Sequence, residues 1–248
     1  MTQDQTAVVA GAGSGIGRAC AHSLAARGLH VIAVGRRVEP LMETVDAAPG
    51  ARAVSADIST DEGLSSVADA AQDRPVRAVV HAAGQESVRS LGDTDRAELE
   101  RVFATNVFGA FLLTRALADR LADGAGVAFI ASIAAVRGRD RHAAYGASKA
   151  ALIGLTHNLA VELAPTARVN CVLPGPVQTP MLEEYFAEYL GPSPSEDDLA
   201  TIRVEAGRVP LRRIAEPAEI AASVVHLVLD ATATTGAVIA TDLGYTAR

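Results

Sequence analysis

Tryptophan is absent from this 248-residue chain, cysteine occurs twice, and the aromatic content rests on four tyrosines and five phenylalanines. Two thiols make no disulfide framework at this length; Cys20 and Cys171, in a predicted helix and a predicted strand, read as small buried hydrophobes. An excess of positive charge is also missing. The 22 basic and 29 acidic side chains leave a formal charge of -7 and a pI near 5.4, which argues against a nucleic-acid partner, because phosphate-backbone affinity needs clustered Lys and Arg. Apolar runs are broken by Gly, Arg, Asp or His before the roughly 20 residues that cross a bilayer, so no membrane partner is expected. Met1 to Gln5 has neither the basic start nor the cleavage site of a signal peptide, which predicts a cytoplasmic protein. No set of metal ligands is read from the chain.

The sharpest shortage is lysine: Lys149 stands alone against 21 arginines. Where either cation would serve, a chain so biased would carry arginine, so Lys149 marks a position that needs a compact, titratable ammonium.

With 49% hydrophobic and 21% charged residues the composition is globular. Short β-rich runs alternate with helix-period stretches, predicting an α/β fold: a parallel sheet with helices on both faces. The strands read are Thr6 to Ala10, His30 to Val34, Ala51 to Ser55, Ala78 to His81, Val127 to Ala131, Arg168 to Leu173 and Val238 to Thr241. Helices start near Gly15, Val38, Asp61, Asp95, Tyr145 and Pro217, the best patterned carrying Glu98, Leu99, Val102, Phe103, Val107 and Phe111. No repeat or linker divides the chain, and a single domain over 1–248 is expected. One irregular stretch, Pro174 to about Pro210, holds Pro176, Pro180, Gly191, Pro192 and Pro194 beside Met181, Leu182, Tyr185, Phe186, Tyr189 and Leu190; its aromatics suggest a substrate lid at about 176–210.

Three motifs carry chemistry. The first strand runs into Gly11-Ala12-Gly13-Ser14-Gly15-Ile16-Gly17 and then a helix, where absent side chains and free helix-end amides suit a pyrophosphate. The second strand ends Val34-Gly35-Arg36-Arg37. No acid stands there to hold a ribose 2'-hydroxyl, and Arg36 offers a fork to a 2'-phosphate, so NADP(H) is favoured over NAD(H); Arg36 and Arg37 as a solvated pair, or Glu39 turned inward, are the alternatives. Third, Tyr145 and Lys149 are four apart at a helix head and share a face. A chance Tyr-x-x-x-Lys in this composition is about one in sixty. A phenol needs a nearby cation to favour its phenolate at neutral pH, and Lys149 is that cation. Ser132, just past a strand end, is placed to polarise a carbonyl.

Together these residues resemble the short-chain dehydrogenase/reductase family over nearly the whole chain, from Val8 to about Gly244. The resemblance implies a Rossmann-type doubly wound sheet and hydride transfer between a nicotinamide cofactor and a ketone or secondary alcohol. It makes Tyr145 the proton donor or acceptor, and Lys149 the group that lowers its pKa and binds the nicotinamide ribose. Ser132 becomes the substrate-orienting hydroxyl, and Asn106, in Phe103-Ala104-Thr105-Asn106-Val107, the holder of a relay water. Asp57 and Ile58 match the adenine-contact position, Ala83 and Gly84 the close approach to the cofactor. Pro174-Gly175-Pro176-Val177-Gln178-Thr179 matches the loop beside the nicotinamide, with Val177 and Thr179 on the carboxamide. The chain departs from the family at Ala10 (usually Thr), at His81-Ala82 in the run His81-Ala82-Ala83-Gly84 (usually Asn-Asn-Ala-Gly), and at Leu243, where a second glycine is common. His81 reads as a satisfied structural histidine.

The substrate is left open. Length and motif set resemble 3-oxoacyl-carrier-protein reductases. The aromatic lid and Arg139 resemble cyclic dihydrodiol dehydrogenases, which are generally NAD enzymes. A non-catalytic dinucleotide sensor is the rival of another class, and the complete Ser132, Tyr145, Lys149 and Asn106 set counts against it. Arg137, Arg139 and Arg141 either grip an anionic group or belong to a solvated or subunit-facing loop paired with Asp140; Gln85 and Glu86 either line the pocket or are solvated. The family implies a homotetramer, for which Ile220, Val224, Val225, Leu227 and Val228 supply a face unless they pack on the sheet.

Overall fold

Every residue of β1 (Thr6–Ala10) is buried, the signature of a central strand of a parallel sheet covered on both faces. The computed structural model describes residues 5–72, 74–190 and 209–247. β2 (His30–Gly35), β3 (Arg52–Ser55), β4 (Val76–His81), β5 (Leu121–Ile130), β6 (Ala167–Pro174) and β7 (Val238–Thr241) complete a seven-stranded sheet in the order β3-β2-β1-β4-β5-β6-β7. All neighbours pair in parallel. The order reverses between β1 and β4, and a crevice opens there beyond the strands' C-terminal ends.

Eight helices flank the sheet among the described residues: α1 (Gly15–Ala26), α2 (Val38–Asp46), α3 (Asp61–Ala70), α4 (Arg96–Phe103), α5 (Ala110–Leu117), α6 (Ala143–Glu162), α7 (Pro180–Leu190) and α8 (Pro217–Val225). On one face Val8, Ile32 and Phe129 pack with Leu113, Leu117 and Leu152. On the other, Val9, Val31 and Val80 pack with Leu24, Ile220 and Val224. Ile220, Val224, Val225, Leu227 and Val228 are therefore spent on the sheet, not on a subunit face.

Four expectations are corrected. β5 starts at Leu121, not Val127: Asp123, Gly124 and Gly126 look like turn residues, yet Gly126 is there because a Cβ would collide with the Val228 backbone. The best-patterned helix is two helices joined by a π turn, Ala104–Gly109. Its wider turn shifts the phase, and Leu99 and Phe111 stand about two-fifths exposed while Glu98 is buried beside Arg101 and Arg89. The helical run Arg96–Arg120 does reach spanning length with a mean hydropathy of 1.2; in the fold Val102, Leu113 and Leu117 bury its inner side. Finally, within the irregular stretch Pro180–Leu190 is α7, which carries Met181, Leu182, Tyr185 and Phe186; the helix runs through Tyr189 and Leu190, and Gly191, Pro192 and Pro194 lie outside the described residues.

Candidate active site

The crevice holds a cavity of about 670 Å³, lined by residues from every motif read in the sequence, within the usual range for small-molecule sites. The β1–α1 turn forms its floor. Gly11 and Gly15 have φ of +81° and +51°, a left-handed backbone that favours glycine. At Gly11 a Cβ would collide with the Ala83 backbone, and at Gly17 with the carbonyl of Gly11, so the glycines let the turn, β4 and α1 close together. Ser14 is the N-cap of α1 but makes no side-chain cap bond; with Gly15 and Ile16 it lines the cavity at the helix's positive end.

Arg36 and Arg37 follow β2, and both line the cavity. Arg36 is 62% exposed and lies 4.0 Å from Asp57. Burial works against the charge of Asp57, but its bonds from Ser59 N and Ser59 Oγ, with Arg36 nearby, hold the carboxyl below its ordinary range. Ile58 lies beside it in the wall. Across the crevice, Pro174, Gly175, Val177 and Thr179 line the cavity. Their loop is fixed by two bonds to Ala215, from its N to Pro176 O and to its O from Gln178 N. Thr179 sits against Gly15, where a Cβ would come within 2.9 Å of its methyl group.

Ser132, Tyr145 and Lys149 meet at the cavity's inner end. Ser132 caps the short turn after β5, its Oγ accepting from Ala134 N at 3.1 Å. Tyr145 and Lys149 lie on the buried side of α6. Lys149 Nζ donates to Ile130 O at 2.9 Å and lies 5.6 Å from the Tyr145 ring centre; burial pulls its pKa down to about 8. Burial and the nearby Glu86 push the Tyr145 phenol well above its ordinary value, against the Ser132 hydrogen bond and the Arg139 charge. Beside Ser132 and Arg139 stands the Lys149 ammonium, the cation to which the sequence pointed, 5.6 Å from the same ring centre.

Asn106 sits in the π turn and is buried. Its Nδ2 donates to Gln85 O and to Ser148 Oγ, both at 2.9 Å, and its Oδ1 accepts from Gln85 N at 2.7 Å. Both side-chain hydrogens are thus spent on the protein frame, which joins β4's following loop to α6. Gly84 completes the pocket, because a Cβ there would lie 3.2 Å from Lys149 Nζ and 3.5 Å from Asn106 Oδ1.

Of the three loop arginines, Arg137 donates to Thr246 O and Arg141 to Val88 O, and neither lines the cavity. Arg139 lines the cavity, its guanidinium 4.8 Å over the Tyr185 ring. Gln85 and Glu86 line it too. His81 is only half satisfied. The Thr114 hydroxyl donates to Ala110 O, so it accepts from His81 Nε2, which leaves Nδ1 buried without a partner among the described residues. Sequence reasoning missed Ser148, His142 and Tyr245. Ser148 sits directly before the lone lysine. Tyr245 reaches the cavity because Asp242 accepts from Gly244 N, Thr246 N and Thr246 Oγ1 and folds the chain end back. Leu243, in the glycine-like position, carries φ +59°.

A nicotinamide dinucleotide suits these residues: the uncapped α1 end and its glycines offer amides to a pyrophosphate, and β2 ends in exposed guanidinium groups. The chain is similar to known proteins along its length. The family profile described as enoyl-(acyl carrier protein) reductase matches residues 11–246. A glucose and ribitol dehydrogenase homolog of Arabidopsis thaliana is 31% identical over 237 residues, 90% of this chain and 78% of that protein. From the same plant, a chloroplastic NADPH-dependent aldehyde reductase is 30% identical over 238 residues, 90% of this chain and 79% of its own. The solved aldohexose dehydrogenase of Thermoplasma acidophilum superposes with a TM-score of 0.90 at 25% identity, covering all of this chain and 96% of that one. With a match this long, the chain belongs to the short-chain dehydrogenase/reductase family, oxidoreductases that act on alcohol and carbonyl groups with a nicotinamide dinucleotide.

Proposed function

We propose that the protein interconverts a ketone and a secondary alcohol with NADP(H), using Ser132, Tyr145 and Lys149, with Asn106 as the residue that fixes their frame. The observation that carries this is the meeting of Ser132, Tyr145 and Lys149 in the cavity that also holds the glycine turn and Arg36. When bound, the nicotinamide supplies hydride to, or takes it from, the substrate carbon.

Ser132 orients the carbonyl by a hydrogen bond. Tyr145 gives its phenolic proton to the oxygen in reduction and takes it back in oxidation. Its burial favours the protonated phenol, the form needed for reduction. Lys149, with a pKa of about 8, is mostly an ammonium at neutral pH and can return a proton to Tyr145. Asn106 ties the π turn to α6 through Ser148, which bonds the Tyr145 backbone carbonyl.

For the cofactor, Arg36 supports NADP(H). Its partner Asp57 stands at 4.0 Å and is already held by Ser59, so the exposed guanidinium keeps its capacity for a 2'-phosphate. A 30%-identical relative named as NADPH-dependent agrees with this reading. Titration with NADPH and NADH, followed by fluorescence of the bound nicotinamide, tests it when paired with turnover of simple ketones, acetoacetyl thioesters and cyclic diols. Tighter NADPH binding with ketone or thioester reduction is expected. NADH preference with ring-alcohol oxidation, or tight binding without turnover of any compound, overturns it.

A further inference from the structure

We propose that Glu86 reads a second functional group of the substrate, a neutral hydroxyl within one or two carbons of the reacting carbon, so that hydroxylated ketones and polyols are the preferred class. This rests on the oxidoreductase reading above and assigns the specificity of the same cavity.

Glu86 follows β4 and lines the cavity near Tyr145, whose phenol feels its charge. Its backbone is clamped. Arg101 donates to Glu86 O at 3.0 Å and also bonds the Gln85 side chain, while Asn106 holds Gln85 N and Gln85 O. The carboxylate therefore stands on a fixed base.

Its neighbour is His142, which is 97% buried by its 3% side-chain exposure and sets Nε2 3.3 Å from Glu86 Oε1, off the line of a full hydrogen bond. His142 Nδ1 lies 2.6 Å from Asp140 O, and a carbonyl only accepts, so Nδ1 carries hydrogen and ties the ring to its own loop.

The Glu86 carboxyl offers the cavity oxygen acceptors on that fixed base, which suit a substrate hydroxyl and repel a carboxylate or phosphate. Arg139, the nearby cation of the wall, is stacked on Tyr185. Ser132 and Tyr145 would take the carbonyl oxygen while Glu86 accepts from the neighbouring hydroxyl. His142 is a positioning residue, holding the carboxylate in place from its cage of Tyr145 and Tyr185, with ring centres at 6.3 and 5.4 Å.

The test is the ratio of kcat/KM for 2-hydroxycyclohexanone over cyclohexanone, measured with the cofactor that binds more tightly. The native protein should favour the hydroxyketone by on the order of tenfold or more. Glu86→Leu and His142→Phe should bring the ratio towards one, and His142→Gln, whose amide can still donate to Glu86, should restore most of it. An equal rate on both ketones in the native protein, or a ratio unchanged in Glu86→Leu, overturns the assignment, as does a higher ratio for 2-aminocyclohexanone. Loss of turnover on both ketones in the native protein instead overturns the oxidoreductase reading beneath it.

Discussion

Asn106 and Ser148 are joined by a 2.9 Å hydrogen bond between the π turn and α6, and Ser148 in turn donates to the carbonyl of Tyr145 at 2.7 Å. The backbone of the candidate proton donor is thereby tied to a neighbouring helix. Asn106→Ala would strand the half-buried partners Gln85 N and Gln85 O. It should cost about 1–3 kcal/mol of stability and lower turnover as well, because Gln85 and α6 lose their common anchor. Thermal unfolding together with kcat checks both effects.

Tyr145→Phe removes one hydroxyl and keeps the ring against His142. Turnover should fall by about 10²–10⁴-fold, the usual worth of a positioned acid or base, while cofactor affinity stays close to native. Steady-state rates and nicotinamide fluorescence titration separate the two.

Arg36→Asp reverses the charge at the tip of β2. NADPH binding should weaken by roughly tenfold to hundredfold and NADH binding far less, since only the former carries a 2'-phosphate for a guanidinium to hold. Equal losses in the two dissociation constants would remove the proposed contact.

His81 makes stability depend on pH. Burial drops its pKa from 6.5 to about 3, so between those values the unfolded chain binds a proton that the folded chain refuses. Stability from this residue is complete above pH 6.5 and declines as pH falls towards 3, by up to about 1.4 kcal/mol per pH unit. Chemical denaturation at pH 7, 6 and 5 should show a shallower decline for His81→Gln than for the native protein.

What could be read from the sequence divides along physical lines. The glycine turn was legible because a close approach of two backbones tolerates no Cβ at Gly11 or Gly17, and Tyr145 with Lys149 because no other side chains supply a phenol and a compact ammonium on one helix face. The sheet followed from its buried apolar runs. The π turn at Ala104–Gly109 left no local mark; its last residue, Gly109, packs under Ile58, a distant neighbour, where a Cβ would come within 2.9 Å. The Glu86 and His142 pair joins residues 56 positions apart in the chain, and neither has a neighbour in sequence that announces the other. The orphaned Nδ1 of His81 likewise depends on Thr114, one helix away, spending its proton on Ala110. Leu243 departs from the family's glycine at a position that the fold bends into left-handed backbone, a cost of roughly 1–2 kcal/mol for a residue with a Cβ.

The lone lysine also gives the molecule a built-in reporter. Apart from the chain's own α-amine, Lys149 is the sole primary amine, and it opens on the cavity with a pKa of about 8. Any small amine-directed acylating reagent therefore has one interior target, and the mass added at that position over time becomes a clock for how often the cavity stands open or filled, readable on the intact protein without a substrate in hand.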